Sequence, residues 1–245
     1  MAHEPIAAQF AHPREEADAA ASTDLYARRF AGPTGEWMLR MQTDAILSLL
    51  DGRPVASVLD MGGGHAQVAP PLARAGHDVT VLISGANAGA RLSAARGSFK
   101  VTSGDLMAAP FADRSFDAVV SMRMMAHVAD WPKYLAELCR MARDTVIVDF
   151  PLDGAGGRLG QRLFGAKRLV ERGTRRYRLI GRDEVTEVLA RHGFDADAHV
   201  GQFVLPMALH RMVHKAPLSA VAERVLRPLA PRIGNPVILR AVRRA

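Results

Sequence analysis

Apolar residues recur along this chain in two registers, and the registers alternate. Trp37, Met38, Met41, Ala45, Leu49 and Leu50 fall at helical spacing and stop before Asp51-Gly52-Arg53-Pro54, which predicts a helix there. Residues 55–60 (VASVLD) form a short apolar run halted by three glycines, a buried strand entering a tight turn. Residues 65–75 read as a helix, 78–83 as a second strand and 85–96 as a second helix. The alternation continues with strands over 99–103 and 116–121, a helix over 131–142 and a fifth strand over 145–150. Short apolar strands separated by helix-length segments predict parallel βαβ units, hence an α/β fold with a doubly wound sheet.

Beyond Pro151 the texture changes. Residues 154–173 are rich in Gly, Arg and Leu; 183–192 read as a helix closed by Gly193. A strand is predicted over 198–205, mostly helix over 207–229, and a last strand over 235–242. Residues 7–22 are Ala-rich without an apolar period and read as a loose tail.

Composition narrows the class. With 245 residues and 49% hydrophobic content the chain can bury a sizeable core, so disorder as the dominant state is excluded. Cys139 is the only cysteine, which rules out disulfide frameworks and Cys-based zinc sites. The first residues carry no basic stretch followed by an apolar one, and no apolar run reaches the ~18–20 residues that span a bilayer. The expectation is a soluble, cytoplasmic protein. Charge adds an asymmetry: the net is +7, yet residues 151–245 hold 18 Lys and Arg against 8 Asp and Glu. The excess therefore belongs to whatever that end meets: an anionic substrate, a membrane surface or nucleic acid.

The chemistry concentrates at Asp60-Met61-Gly62-Gly63-Gly64-His65-Ala66. Glycines after a strand let the chain turn sharply and a ligand approach the backbone. Taken alone the turn fits any nucleotide-type cofactor, or simply a tight strand-to-helix connection. A dinucleotide dehydrogenase would need a third glycine, and Gln67 stands there. Asp60, two residues before the first glycine, would repel a pyrophosphate and suits a ligand carrying an ammonium and a sulfonium. The charge logic favours S-adenosylmethionine.

Three runs, VLDMGGGHAQ, GDLMAAPFADRSFDAVVS and HVADWPKYLAELCRMARDTVIVDFP, closely resemble the class I S-adenosylmethionine-dependent methyltransferases, in the broad group with small-molecule and quinone-biosynthesis enzymes. The resemblance is strong over residues 55–151. It implies a seven-stranded Rossmann-like sheet with the last strand antiparallel and helical lid insertions. It further implies one methyltransferase domain over 25–245. This would comprise a helical cover (25–54), a cofactor-binding core (55–151), a basic lid (152–182) and a C-terminal part with a substrate-side helix (183–245). Residues 1–24 would remain as the tail. Asp60, Gly62, Gly63 and Gly64 would line the methionine end of the cofactor, with His65 beside them. Asp105 would accept from the adenine amino group and Leu106 would pack on the ring. Ser121 and Arg123 would face the active site. One departure stands out: strand two ends in Val81-Leu82-Ile83-Ser84-Gly85, without the family's acid for the ribose hydroxyls, and Ser84 offers a single neutral hydrogen bond.

His127, just past the fourth strand, is the candidate general base; a structural hydrogen-bonding role is the alternative. Tyr26, Tyr177 and His210 are candidate substrate residues. His210 and His214 are four apart on a helix, but the intervening residues include no Glu, so no metal is assigned. Between Arg158 and Arg178, eight basic residues interleave with Leu159, Leu163, Phe164, Leu169 and Val170, with Glu171 the only acid. Three readings compete: a lid for an anionic or lipid-linked substrate that also touches anionic membrane, a solvated helix face, or a nucleic-acid surface. Scarce aromatics weigh against the last. The expected function is methyl transfer to a small or lipid-linked acceptor, on oxygen before nitrogen or carbon. The alternative is a non-catalytic cofactor-binding or scaffold protein that kept the fold.

Overall fold

The computed structural model describes residues 17–51, 57–154 and 178–245. Its seven strands are β1 (Ser57–Met61), β2 (Asp78–Ile83), β3 (Phe99–Ser103), β4 (Phe116–Ser121), β5 (Ala142–Phe150), β6 (Phe194–Gly201) and β7 (Val237–Arg243). They form one sheet in the order β3-β2-β1-β4-β5-β7-β6. The pairs β2–β3, β1–β2, β1–β4 and β4–β5 are parallel, while β7 runs antiparallel to both β5 and β6. The chain winds outward from β1 to β3 and restarts at β4. That reversal opens a crevice above the carboxyl ends of β1 and β4, where open α/β sheets bind ligands.

Alternate residues of the central strands feed two cores, as the period of two requires. Leu59, Val119 and Val146 pack on one side with α5 (Trp131–Met141) and α6 (Arg182–Arg191), through Tyr134, Leu135, Leu138, Val185 and Leu189. Val58, Ala118 and Ile147 pack on the other with α3 (Gly32–Leu50) and α4 (Ala69–Arg74), through Ile46, Leu49 and Leu72. Both faces of the sheet are therefore covered, which is why its strands read as apolar runs. α5 starts where it does because the Asp130 side chain accepts from the Lys133 N–H and Pro132 occupies the first turn.

Four expectations need correction. The predicted helix over 85–96 is a single 3₁₀ turn, Ala86–Ala88, followed by further turns. Gly85, Asn87 and Gly89 favour turn geometry there over helix. The helix expected over 65–75 starts at Ala69, after a 3₁₀ turn at Gly63–His65. β6 lies four residues earlier than the 198–205 expected. It is an edge strand whose Asp195, Asp197 and His199 alternate outward, so its signal is alternation rather than an apolar run.

The fourth correction concerns the loose tail. Residues 17–21 form a helix, α1 (Ala17–Ala21), and Ala17 and Asp18 are fully buried. α2 (Asp24–Ala27) follows, capped by the Thr23 side chain accepting from the Tyr26 N–H. Residues 1–16, and residues 155–177 with the Arg-rich run and Tyr177, lie outside the described part. The last helices are α7 (Met207–Val213), α8 (Ala216–Leu226) and α9 (Ala230–Ile233).

Candidate active site

β1 delivers Asp60 to the crevice and the glycines turn the chain away from it. Gly62 has φ +77°, a left-handed conformation, and its N–H donates to the Leu82 carbonyl at 2.8 Å. A Cβ on Gly64 would lie 2.0 Å from the Ala88 carbonyl oxygen, so that position admits no side chain. Folded against this turn, the Asp60 carboxylate is fully buried, and neither oxygen makes a well-formed hydrogen bond. Burial pushes its carboxyl up to about 7, against the lowering pull of the Ala69 N–H and the Arg123 guanidinium. A buried carboxylate without partners is costly unless a cation meets it.

His65 sits beside it in the same condition. Burial, reinforced by Arg123, holds its imidazole well below its ordinary pKa, so the ring is neutral. Nδ1 accepts from the Gln67 N–H at 3.2 Å, which puts the proton on Nε2. That Nε2 is buried and makes no well-formed hydrogen bond, with only a weak contribution from the Met122 backbone. The glycine turn thus presents an acid and a neutral donor, both short of partners.

Next along the crevice, the end of β2 is already occupied. The Ser84 N–H donates to the Asp18 carboxylate at 2.7 Å, and Ser22 stands over Gly64, where its Oγ would be 2.5 Å from an added Cβ. Ala17 belongs to the buried cluster that contains Leu82 and Leu106. Asp105, half-buried, accepts from the Met107 N–H at 2.8 Å. Three of the residues expected to touch a cofactor, Gly64, Ser84 and Leu106, therefore lie in contact with α1 and the turn after it or in one buried cluster with them. The carboxylate that meets the end of strand two comes from sixty-six residues away and is spent on the Ser84 backbone.

Arg123 joins this crevice to a second space. Its backbone is left-handed (φ 63°), held by its N–H donating to the Asp149 carboxylate. Its guanidinium lies 4.8 Å from the Phe30 ring centroid and 5.7 Å from that of Tyr26, with Nε and one terminal nitrogen buried and unpartnered. On one side is a pocket of about 400 Å³ that includes His65, Gln67 and Arg91. On the other is a cavity of about 230 Å³ lined by apolar Met38, Phe203, Leu205 and Met207, by Arg29, and by His127 and Asp149.

Asp149 was not singled out in the sequence. It lies at the second-last position of β5, where burial pushes its carboxyl up to about 6 while the Arg123 N–H and guanidinium pull it down. Its other oxygen accepts from the Gln42 side chain at 3.3 Å, and Gln42 in turn accepts from Gln67 at 2.6 Å. A polar chain thus runs from the glycine turn to the second cavity. A lone acid in the apolar run TVIVDF was the available signal; Gln42 offered none.

The other candidates divide. Tyr26, Arg123 and His127 do line the cavity. Ser121 does not face it: its hydroxyl donates to the Met61 carbonyl at 2.9 Å and lies 2.7 Å from the Tyr134 hydroxyl, tying β1 to β4. His210 is also a correction. It is buried, paired with Glu223 at 2.8 Å and packed against Trp37 and Phe203, and it lines neither space. Its apolar neighbours and a single carboxylate partner explain the placement. Against burial, hydrogen bonds from His210 and from the Val204 and Leu205 N–H groups hold the Glu223 carboxyl below its usual range.

Comparison with known proteins gives this geometry a class. The family model described as methyltransferase domain matches residues 59–148. A ubiquinone biosynthesis O-methyltransferase from Rhizobium rhizogenes is 28% identical over 161 residues, 61% of this chain. The match spans 64% of that relative's length. A SAM-dependent methyltransferase from Thermotoga maritima superposes with TM-score 0.66 at 17% identity, covering 93% of this chain and 99% of the other. Magnesium protoporphyrin IX methyltransferase from Synechocystis, solved with bound SAH, gives 0.61 at 16% identity over 90% and 94%. The fold is that of the class I S-adenosylmethionine-dependent methyltransferases. Residues 59–148, which carry Asp60, the glycine turn and Arg123, are similar to the methyltransferase-domain family.

Proposed function

We propose that the protein moves a methyl group from S-adenosylmethionine to an oxygen of a small or lipid-linked acceptor. The observation that carries this reading is Asp60, a fully buried carboxylate with no well-formed hydrogen bond, folded against a glycine turn whose next residue, His65, lines an open pocket. Such a group fits a ligand ammonium. His65 Nε2–H and Arg123, two donors short of acceptors, fit the ligand's carboxylate, and Asp105 and Leu106 fit its adenine. The cofactor supplies an electrophilic methyl on sulfur; everything else falls to the chain. α1 lies on residues that the cofactor needs, so binding moves α1 off the crevice.

The acceptor enters the second cavity. Its volume suits a ring-sized head and not a long tail, which stays outside. Arg123 draws an acidic head toward the crevice, and Tyr26 and Phe203 hold the apolar body. A hydroxyl acceptor must lose its proton; Asp149, ionised above about pH 6, takes it, with His127 bordering the same space. A second reading, a non-catalytic protein that kept the fold, is favoured by one observation, the burial of Ser84 and Leu106 beside α1.

The test supplies methyl-labelled S-adenosylmethionine with metabolite and lipid extracts. Label in an extractable acceptor, with equal release of S-adenosylhomocysteine, is expected. Cofactor binding without transfer to any extract would favour the second reading.

A further inference from the structure

The outer face of α8 is built the wrong way round for a helix of a globular protein. Leu218, Val221 and Val225, at positions i, i+3 and i+7, point to solvent, and Val225 is 73% exposed. The buried residues of the same helix are Ser219 and Glu223. Glu223 fixes this orientation, because its carboxylate is committed to His210 and to the N–H groups of Val204 and Leu205. Rotating the apolar stripe inward would break all three bonds. Met212 of α7 and Leu229, between α8 and α9, extend the patch. Among the described residues, eight of the ten large hydrophobics that stand exposed fall between Leu209 and Ile233. A concentration of this kind marks a surface that is covered in use.

Charge decides by what. From residue 202 to 239 the sequence has one acid, the buried Glu223, against Arg211, Lys215, Arg224, Arg227 and Arg232. A second copy would bring an equally basic face against this one, which like-charge repulsion opposes. An anionic lipid surface complements it, with apolar side chains entering the boundary of headgroup and acyl chain while Arg and Lys reach the phosphates. No helix among the described residues is long and apolar enough to cross a membrane, so contact of this kind is peripheral. The same elements border the acceptor cavity: Met207, Ala208, Arg211 and Ile233 line it.

We propose that the face made by α7, α8 and α9 docks on an anionic lipid bilayer, setting the cavity mouth at the membrane surface. The proposal deepens the lipid-linked version of the acceptor, but it stands on the surface and not on catalysis. Each basic residue near an anionic surface strengthens partition by roughly fivefold.

The test is co-sedimentation of the full chain with vesicles of phosphatidylcholine alone and of phosphatidylcholine with phosphatidylglycerol. Binding to the mixed vesicles is expected to be at least about tenfold stronger, and to weaken in high salt. Val225→Glu and Arg227→Glu, both at exposed sites, should each lower it severalfold while S-adenosylhomocysteine binding, measured on the same samples, is unchanged. Equal binding to both vesicles, or no binding, overturns the proposal. So does anionic binding that both variants leave intact, since the contact then lies elsewhere on the chain. A dimer in sedimentation equilibrium that Val225→Glu dissolves, without vesicle binding, assigns the face to a second copy and also overturns it. Loss of S-adenosylhomocysteine binding in the unmutated chain counts against the methyltransferase reading and leaves the vesicle result to be judged by itself.

Discussion

Arg123 divides two regions that treat buried carboxylates in opposite ways. On the crevice side neither Asp60 oxygen has a well-formed hydrogen bond, only the weak pull of the Ala69 N–H; on the cavity side Asp149 has both oxygens bonded, one to the Arg123 N–H and one to Gln42. Both are buried, and burial raises both, to about 7 and about 6. The difference teaches what each is for. A carboxylate held by two donors is fixed in place before a ligand arrives, as a base that takes a proton from it must be. One whose bonds are missing is finished only when something cationic arrives.

Removing the divider should cost most. Arg123→Met takes a cation from both regions, and transfer is expected to fall about a thousandfold, measured as S-adenosylhomocysteine release. A loss confined to KM for the acceptor would show that Arg123 serves the cavity alone. Asp149→Asn should lower turnover about a hundredfold. In the unmutated protein the base must be ionised, so kcat/KM should climb as pH rises through about 6 and level above it. The Asn variant should lose that step; a step that persists would move the proton transfer to His127.

Deleting residues 1–22 should tighten S-adenosylhomocysteine binding about tenfold in calorimetry, because α1 no longer competes for the crevice. Weaker binding would mean that Asp18 serves the ligand and is not in its way. The smallest effect is on stability. The Asp60 carboxyl is raised on folding, so its burial costs nothing below about pH 4, where both states are protonated. The cost grows as pH rises toward 7, where the folded group finally ionises, and is constant above that. Asp60→Asn should therefore raise Tm of the ligand-free protein by roughly 5 °C at pH 8 and leave it unchanged at pH 4. The Asp149→Asn counterpart should gain less, since Asn cannot serve two donors.

What the sequence made legible was local. β2 and β4 are readable to the residue because parallel strands with covered faces are near-continuous apolar runs, and the short edge strand β3 is bounded by Gly97-Ser98 and Gly104. The glycine turn is readable because Asp60 and its glycines act within five residues. What was hidden depends on chain-distant meetings: Ser84 with Asp18, Gln42 with Asp149 and Gln67 with Gln42. Asp18 sits in an Ala-rich stretch with no period, so nothing local distinguishes it from a tail. His210 misled for the same reason, because its partner Glu223 lies on the next helix. The inverted face of α8 lies inside the single helical stretch expected over 207–229, where helical spacing alone does not say which face is buried.

The central claim is that Asp60 is the unfinished half of a cofactor site. S-adenosylhomocysteine keeps the ammonium and lacks the sulfonium charge, so its binding to the full chain and to Asp60→Ala tests that claim most directly. Saturable binding by the full chain is expected, weakened at least about a hundredfold in the variant. Equal affinity in the two proteins, or no binding to the full chain at millimolar ligand, would contradict it.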